Sequence, residues 1–317
     1  MTDFASPVAK VDDVAHVRFR APDLEMMRDF LLDFGMVEAG RDGNHLYMRG
    51  HSDAPFVHVT EHGPAGFAGF AFRVSERSAL EALAHHEGVE IQALDTPGGG
   101  EVVRLLDPDG FAVEIVHGQA AVAPLAAPSP GPWNEAGRND RVSAFRRPPK
   151  GPSHVLRLGH VVLSVSDFRV SERWYKERFG LITSDEIQPA PGIGIGAFMR
   201  ADRGSERTCD HHTLFLFQHP AGPTYLHSAF EVIDLDDLMT GRDHLLAKGH
   251  DAAWGVGRHK LGSQIFDYWR DPWGHEVEHW TDGDQLYASD GGRVATPEEL
   301  IGVQWGMGFP GKAGDAE

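Results

Sequence analysis

His160, in the segment RLGHVVLSV, His227, in TYLHSAFEV, and Glu278, in HEVEHW, are the residues of this 317-residue chain whose types and setting point most directly to chemistry. Each lies in a strand-like run, where alternation can aim one side chain at a common interior while its neighbours pack. Two imidazoles and one carboxylate on one face of an ion make the facial triad of non-haem Fe(II) sites, which leaves the remaining positions open for substrate and O2. Mn(II) prefers nearly the same ligands, so Fe(II) is expected with Mn(II) as the alternative. Zinc tends towards four-coordinate geometry with richer His or Cys ligation, and the single cysteine, Cys209, cannot supply a thiolate cluster. With 19 histidines in the chain, one match alone carries little. A strand histidine is more often packed or surface-facing than a ligand, and a strand glutamate is usually solvated. The three count together because they occupy matched places in a repeated scaffold.

Three further residues suit proton and oxygen chemistry: His212 in CDHHTLFLFQ, His259 in VGRHKLGSQIF and Tyr268 in FDYWRDPWG. A diol must lose a proton to chelate a metal and reduced oxygen must gain one, and histidine titrates near neutrality. A tyrosine hydroxyl can hydrogen-bond a metal-bound oxygen and fix its position. The bland alternatives are a polar strand start, a loop residue and core packing, and His211 is the obvious rival to His212. A loop over 271–275 sets Tyr268 across from Glu278, whereas one over 271–274 sets Asp267 there; spacing leaves both registers open.

The elements that must position these groups occur twice. VAHVRFRAPDLEMMRDFLLDFGMVEAG, from Val14, parallels LGHVVLSVSDFRVSERWYKERFGLITSD, from Leu158. Each opens on an alternating strand with a histidine, His16 or His160. An Asp follows (Asp23 or Asp167) at the start of an amphipathic helix, which stops at Phe34-Gly35 or Phe179-Gly180, glycine suiting a left-handed cap. RLLDPDGFAVEIVHG and YWRDPWGHEVEHWTDGD both read as strand, Asp-Pro-x-Gly turn, strand, so Glu114 corresponds to Glu278. Aligning GFAGFAFRV with TYLHSAFEV sets Gly69 where His227 stands. The first copy thus keeps His16 and Glu114 without a third ligand and reads as a metal-free relic. We place module one at residues 11–118, an Ala/Pro-rich connector at 119–154, module two at 155–285 and a tail at 286–317. Within the tail, Thr296, Pro297 and Glu299 spell a capped short helix.

Bulk properties narrow the partners. A formal net charge of −18 argues against nucleic acid and anionic membranes, which need cationic surface. No apolar run approaches the roughly 20 residues of a membrane helix, and the N-terminus lacks the basic and apolar regions of an export signal. Cysteine scarcity fits a reducing compartment. The expectation is a cytoplasmic protein acting on a small molecule.

The segment Gly257-Arg258-His259, then Tyr268, Asp271-Pro272-Trp273-Gly274 and Glu278 resembles the signature of the type I extradiol ring-cleaving dioxygenases of the vicinal oxygen chelate superfamily. Asp267 departs from it, since the family has an apolar residue before the tyrosine. The resemblance spans roughly residues 11 to 285. It implies an α+β fold of two tandem modules, each a pair of βαβββ units curling into a partly open barrel, with metal only in the second. It implies His160, His227 and Glu278 as ligands, His212 as the oxygen-handling acid–base group, and His259 and Tyr268 as substrate-facing residues. It further implies a catechol-type substrate cleaved with O2 in aromatic catabolism, and a homo-oligomer. Trp254, Phe198 and His211 are expected in the pocket wall. The rival readings are a glyoxalase-like metal-dependent isomerase or lyase of the same superfamily, which the retained His16 and Glu114 suit, and a non-catalytic aromatic-ligand-binding protein.

Overall fold

The structure, a computed structural model, describes residues 6–129 and 131–310. Its first half runs β1 (Asp13–Ala21), α1 (Leu24–Asp33), β2 (Val37–Arg41), β3 (His45–Arg49) and β4 (His58–His62). The pattern repeats as β5 (Gly66–Arg73), α2 (Arg77–Glu87), β6 (Gln92–Ala93), β7 (Glu101–Leu106) and β8 (Ala112–His117). The second half runs β9 (Arg157–Val165), α3 (Phe168–Phe179), β10 (Ile182–Ile187), β11 (Gly196–Arg200), the two-residue β12 (Cys209–Asp210) and β13 (Leu214–Gln218). It closes with β14 (Thr224–Glu231), α4 (Leu235–Lys248), β15 (Ala252–His259), β16 (Ile265–Arg270) and β17 (Glu276–Thr281). After it come β18 (Gln285–Leu286), β19 (Arg293–Ala295), α5 (Pro297–Leu300) and β20 (Val303–Gly306).

Each half is thus two βαβββ units joined edge to edge. One sheet has the order β2-β3-β4-β1-β5-β8-β7-β6, and the other carries β10-β11-β13-β9-β14-β17-β16-β15 at its centre. Both sheets are open, with no strand among the described residues closing them into a complete barrel. Local chemistry sets the element ends. Asp23 and Asp167 accept from the amides of Met26 and Val170 at 2.9 and 3.1 Å, capping α1 and α3. Helix α3 ends on Gly180 at φ +67°, whereas α1 ends on Phe34, with Gly35 following at φ +104°. Asp107 and Asp271 each accept two downstream amides at 2.8–2.9 Å, and Gly110 and Gly274 close the turns with 3.0 Å bonds to their carbonyls.

The halves share one apolar core. His279, on the face of β17 opposite Glu278, stacks on Phe34 with ring centroids 3.8 Å apart and bonds its carbonyl at 2.7 Å. Across the same seam Tyr175 donates to Asp107 at 2.9 Å. Among its described residues, the connector over 119–154 forms no helix and only one isolated bridge, Glu135 to Arg138. No helix among the described residues is long and apolar enough to cross a membrane.

The tail does more than its single helix signal suggests. The capped helix is present, with Thr296 and Glu299 bonding each other's amides. On either side of it, β19 pairs in parallel with β10 and β20 antiparallel with β15, so the tail adds a strand to each edge of the second sheet. These strands are too short for a periodic pattern, and they form because the sheet edges offer unpaired backbone groups.

Buried histidine makes the first half acid-sensitive. His58 is 1% exposed beside Phe19, and burial pushes its imidazole down to about 3. A folded-state pKa below the unfolded value of about 6.5 means stability is lost as pH falls from there towards 3, by about 2 kcal/mol at roughly pH 5. Leu214 holds the matching place in the second sheet. Urea unfolding of His58→Leu at neutral and acid pH is expected to show a flatter pH dependence than the parent; an equal slope would refute this.

Candidate metal centre

Strands β9, β14 and β17 lie side by side, and their register brings the predicted ligands together. Ala229 pairs with His160 on one side and with Glu278 on the other, so all three share a face. His227, two residues before Ala229, points the same way, and the small Ala229 side chain leaves room between the three larger ones. The ligand atoms of His160, His227 and Glu278 all lie within 4.8 Å of one another. One Glu278 oxygen is 3.3 Å from Nε2 of each histidine.

The donor set fits a divalent cation. Glu278 is fully buried, yet neither carboxylate oxygen accepts a hydrogen bond of good geometry, and Nδ1 of His160 is likewise unpartnered. A buried carboxylate is costly unless it is paired or coordinates a metal. Burial would raise the Glu278 carboxyl, but the imidazoles of His160, His227 and His259 hold it well below the usual carboxylate range. Burial also lowers His160, keeping it in the neutral form that a ligand needs.

The other predicted residues gather around this triad. Tyr268 pairs directly with Glu278, because the turn closes from Asp271 to His275. Its hydroxyl lies 3.1 Å from Nε2 of His259, which is itself 3.7 Å from Glu278. His212 packs against His160 at a tilt, with centroids 3.9 Å apart, and burial together with His160 and His211 holds its imidazole well below its usual range. Trp254 stacks on Tyr268 and Phe198 meets His212 edge-on, forming apolar walls as expected. Asp267 faces away from the site, where it pairs with Arg242 and accepts from the Trp269 indole at 2.7 Å. The polar residue before the tyrosine is therefore accommodated on the far face of the sheet.

Two features escaped the sequence reading. His211 is not a wall residue: it lies behind His212, between that ring and Asp185. In the first half, arginines neutralise the matching carboxylate. Arg18, at the position matching Val162, and Arg104, at the position matching Tyr268, both pair with Glu114, whose partner His16 is 3.2 Å away. Against the cost of burial, His16, Arg18 and Arg104 hold the Glu114 carboxyl down to about 2. Gly69, at the matching place of His227, sits at φ +138°, and a Cβ there would lie 2.5 Å from the Ala112 carbonyl. The backbone itself thus disfavours any side chain at this position. A histidine pattern would not have revealed this, because the substituting charge comes from neighbouring strands.

Comparison with known proteins agrees with this architecture. Residues 157–279 match the model of the Glyoxalase/Bleomycin resistance protein/Dioxygenase superfamily. The chain is 27% identical to metapyrocatechase 2 of Cupriavidus necator over 313 residues, covering 96% of this chain and 92% of that protein. It is 26% identical over 320 residues to an iron-dependent extradiol dioxygenase of Rhodococcus jostii, covering 94% and 97%. In fold it is similar to the Mn(II)-bound glyoxalase from Novosphingobium aromaticivorans, with a TM-score of 0.77 at 23% identity over 96% of this chain and 93% of that one. Residues 157–279, whose strands carry the His160, His227 and Glu278 cluster, are thus a domain that matches the glyoxalase, bleomycin-resistance and dioxygenase superfamily.

Proposed function

We propose that this protein is an extradiol dioxygenase that cleaves a catechol-type ring with O2 at a mononuclear Fe(II) centre, with Mn(II) as the alternative. The observation that carries the reading is a fully buried Glu278 without hydrogen bonds, flanked by His160 and His227 and ringed by His212, His259 and Tyr268. The full-length similarity to metapyrocatechase 2 and to an iron-dependent extradiol dioxygenase supports the same class.

In this reading His160, His227 and Glu278 hold the ion, which supplies Lewis acidity and a path for electrons from the diol to O2. The chain's own residues do the rest. His259 and Tyr268, bonded to each other beside Glu278, hold the substrate's oxygens and set the ring's angle. His212, kept neutral by burial, can accept a diol proton and return it to oxygen as the ring opens. The apolar walls of Trp254, Phe198 and Phe266 exclude water from the reacting groups.

Oxygen uptake by anaerobically purified, Fe(II)-loaded protein across a panel of substituted catechols tests this, with His227→Ala as control. Catechol-dependent uptake and a yellow ring-opened product, both lost in the control, are expected. No uptake with any catechol despite bound metal would overturn the reading in favour of an isomerase or lyase. Because Gly69 and the paired arginines close the first site, elemental analysis is expected to find one metal per chain; two would contradict the assignment of that half.

A further inference from the structure

We infer that Asp185 and His211 are positioning residues that fix which nitrogen of His212 carries its proton, leaving Nε2 bare on the side away from His211. This rests on the reading of His212 as the acid–base group given above.

The geometry is a chain of three buried side chains. Asp185 Oδ2 lies 2.6 Å from Nε2 of His211, and Nδ1 of His211 lies 3.1 Å from Nδ1 of His212. All three are under 8% exposed. A carboxylate only accepts, so Nε2 of His211 must carry a proton. With a single proton on His211 the other nitrogen, Nδ1, is then a bare acceptor; a second proton there would reverse the arrangement and give the Nε2–H form of His212, which nitrogen-15 NMR distinguishes. The short contact between two ring nitrogens needs one donor, and His212 must supply it from Nδ1. Its remaining nitrogen, Nε2, therefore holds a lone pair, which is the form a base requires to take a proton from a diol. Without this chain, neutral imidazole in the site could equally present Nε2–H and be unable to accept a proton there.

The surroundings hold the chain in place. A β-bulge between Thr183 and Asp185 shifts the register of β10 against β11 at this point. Ser184 donates to the His211 carbonyl at 2.5 Å, and the buried Arg200 donates to Ser184 at 2.8 Å. The amide of His211 bonds the Asp284 carbonyl at 2.9 Å, and Gly262 lies so close that a Cβ would sit 2.9 Å from Nδ1 of His211. Asp185 and His211 also line a cavity of about 550 Å³ with Lys260, Asp284 and Arg293, a lining that includes neither His160 nor His212. The carboxylate thus reaches a second, polar space while His212 reaches the metal side.

Nitrogen-15 NMR of histidine-labelled, metal-free full-length protein reads the tautomer directly. The parent is expected to show His212 protonated at Nδ1 and bare at Nε2. Asp185→Asn, which keeps the shape and loses the charge, and His211→Phe, which removes the acceptor, are expected to convert His212 partly or wholly to the Nε2–H form. In the loaded enzyme both should lower kcat about 10- to 100-fold, the usual cost of losing an outer-shell partner, with KM little changed, and Asp185→Glu should recover part of it. A parent His212 found as Nε2–H, or unchanged tautomers in both variants, would overturn the inference. The NMR readout needs no turnover, so a parent that shows the expected tautomer but cleaves no catechol would sink the dioxygenase reading and leave the positioning role standing.

Discussion

Glu278→Gln is expected to abolish ring cleavage and to weaken metal binding at least about 100-fold while leaving the fold intact. A structural zinc site with four ligands binds with about 10–16 kcal/mol, so one ligand is worth roughly 3 kcal/mol, or two powers of ten. Glutamine has nearly the same volume, and the carboxylate accepts no backbone hydrogen bond that the amide would break. The change therefore removes the negative charge that lies against both imidazoles without opening a cavity. Thermal unfolding with and without Fe(II) or Mn(II) checks this alongside metal analysis after dialysis. At 100 times the dissociation constant a bound ion stabilises the native state by about 2.7 kcal/mol, a gain the parent should show and the variant should lack. Full metal retention by the glutamine variant would remove Glu278 from the ligand set.

A single methyl group at Gly35 is expected to be among the most damaging changes away from the site. Gly35 sits at φ +104°, and a Cβ built there would lie 2.1 Å from the carbonyl oxygen of Ser153 and 2.8 Å from its carbon. The obstacle is backbone, so it cannot rotate away as a side chain could. Its own carbonyl accepts from the Val155 amide at 3.2 Å, fixing the end of the connector against the first half. A left-handed backbone costs an L-residue about 1–2 kcal/mol and overpacking a further 1–3, together roughly 3 kcal/mol. For a chain of this size that lowers Tm by about 5 °C. Gly43→Ala, where a Cβ meets nothing within 4 Å, is the matched control and should change little. Because Gly35 is on the far side of the sheet from the triad, the folded variant should bind metal like the parent. A Gly35→Ala protein as stable as Gly43→Ala would show that the seam between the halves yields.

The duplicated pattern, the capping aspartates and the Asp-Pro-x-Gly turns were all legible in the chain, because each is a local device whose residues are near neighbours in sequence. The two-module organisation followed from the repeat, and so did His160, His227 and Glu278 as the group to watch, while the α+β fold came with the resemblance to a known family. What lay beyond reach was every relation set by contact between distant segments. Tyr268 or Asp267 could have faced Glu278 until the turn chose its register, since one residue of slip reverses every side chain. The tail looked like one short helix, and only the presence of two free sheet edges gives β19 and β20 their partners. Gly69 could be read as a missing ligand, but Arg18 and Arg104 as its electrostatic replacement needed three strands in place at once. His211 looked like a rival to His212 or a wall residue, and became its hydrogen-bond partner only when β10 brought Asp185 alongside. Residue type and spacing along the chain determined which chemistry was available; burial and cross-strand register, which depend on the whole fold, decided which atoms meet and which of them lack any other partner.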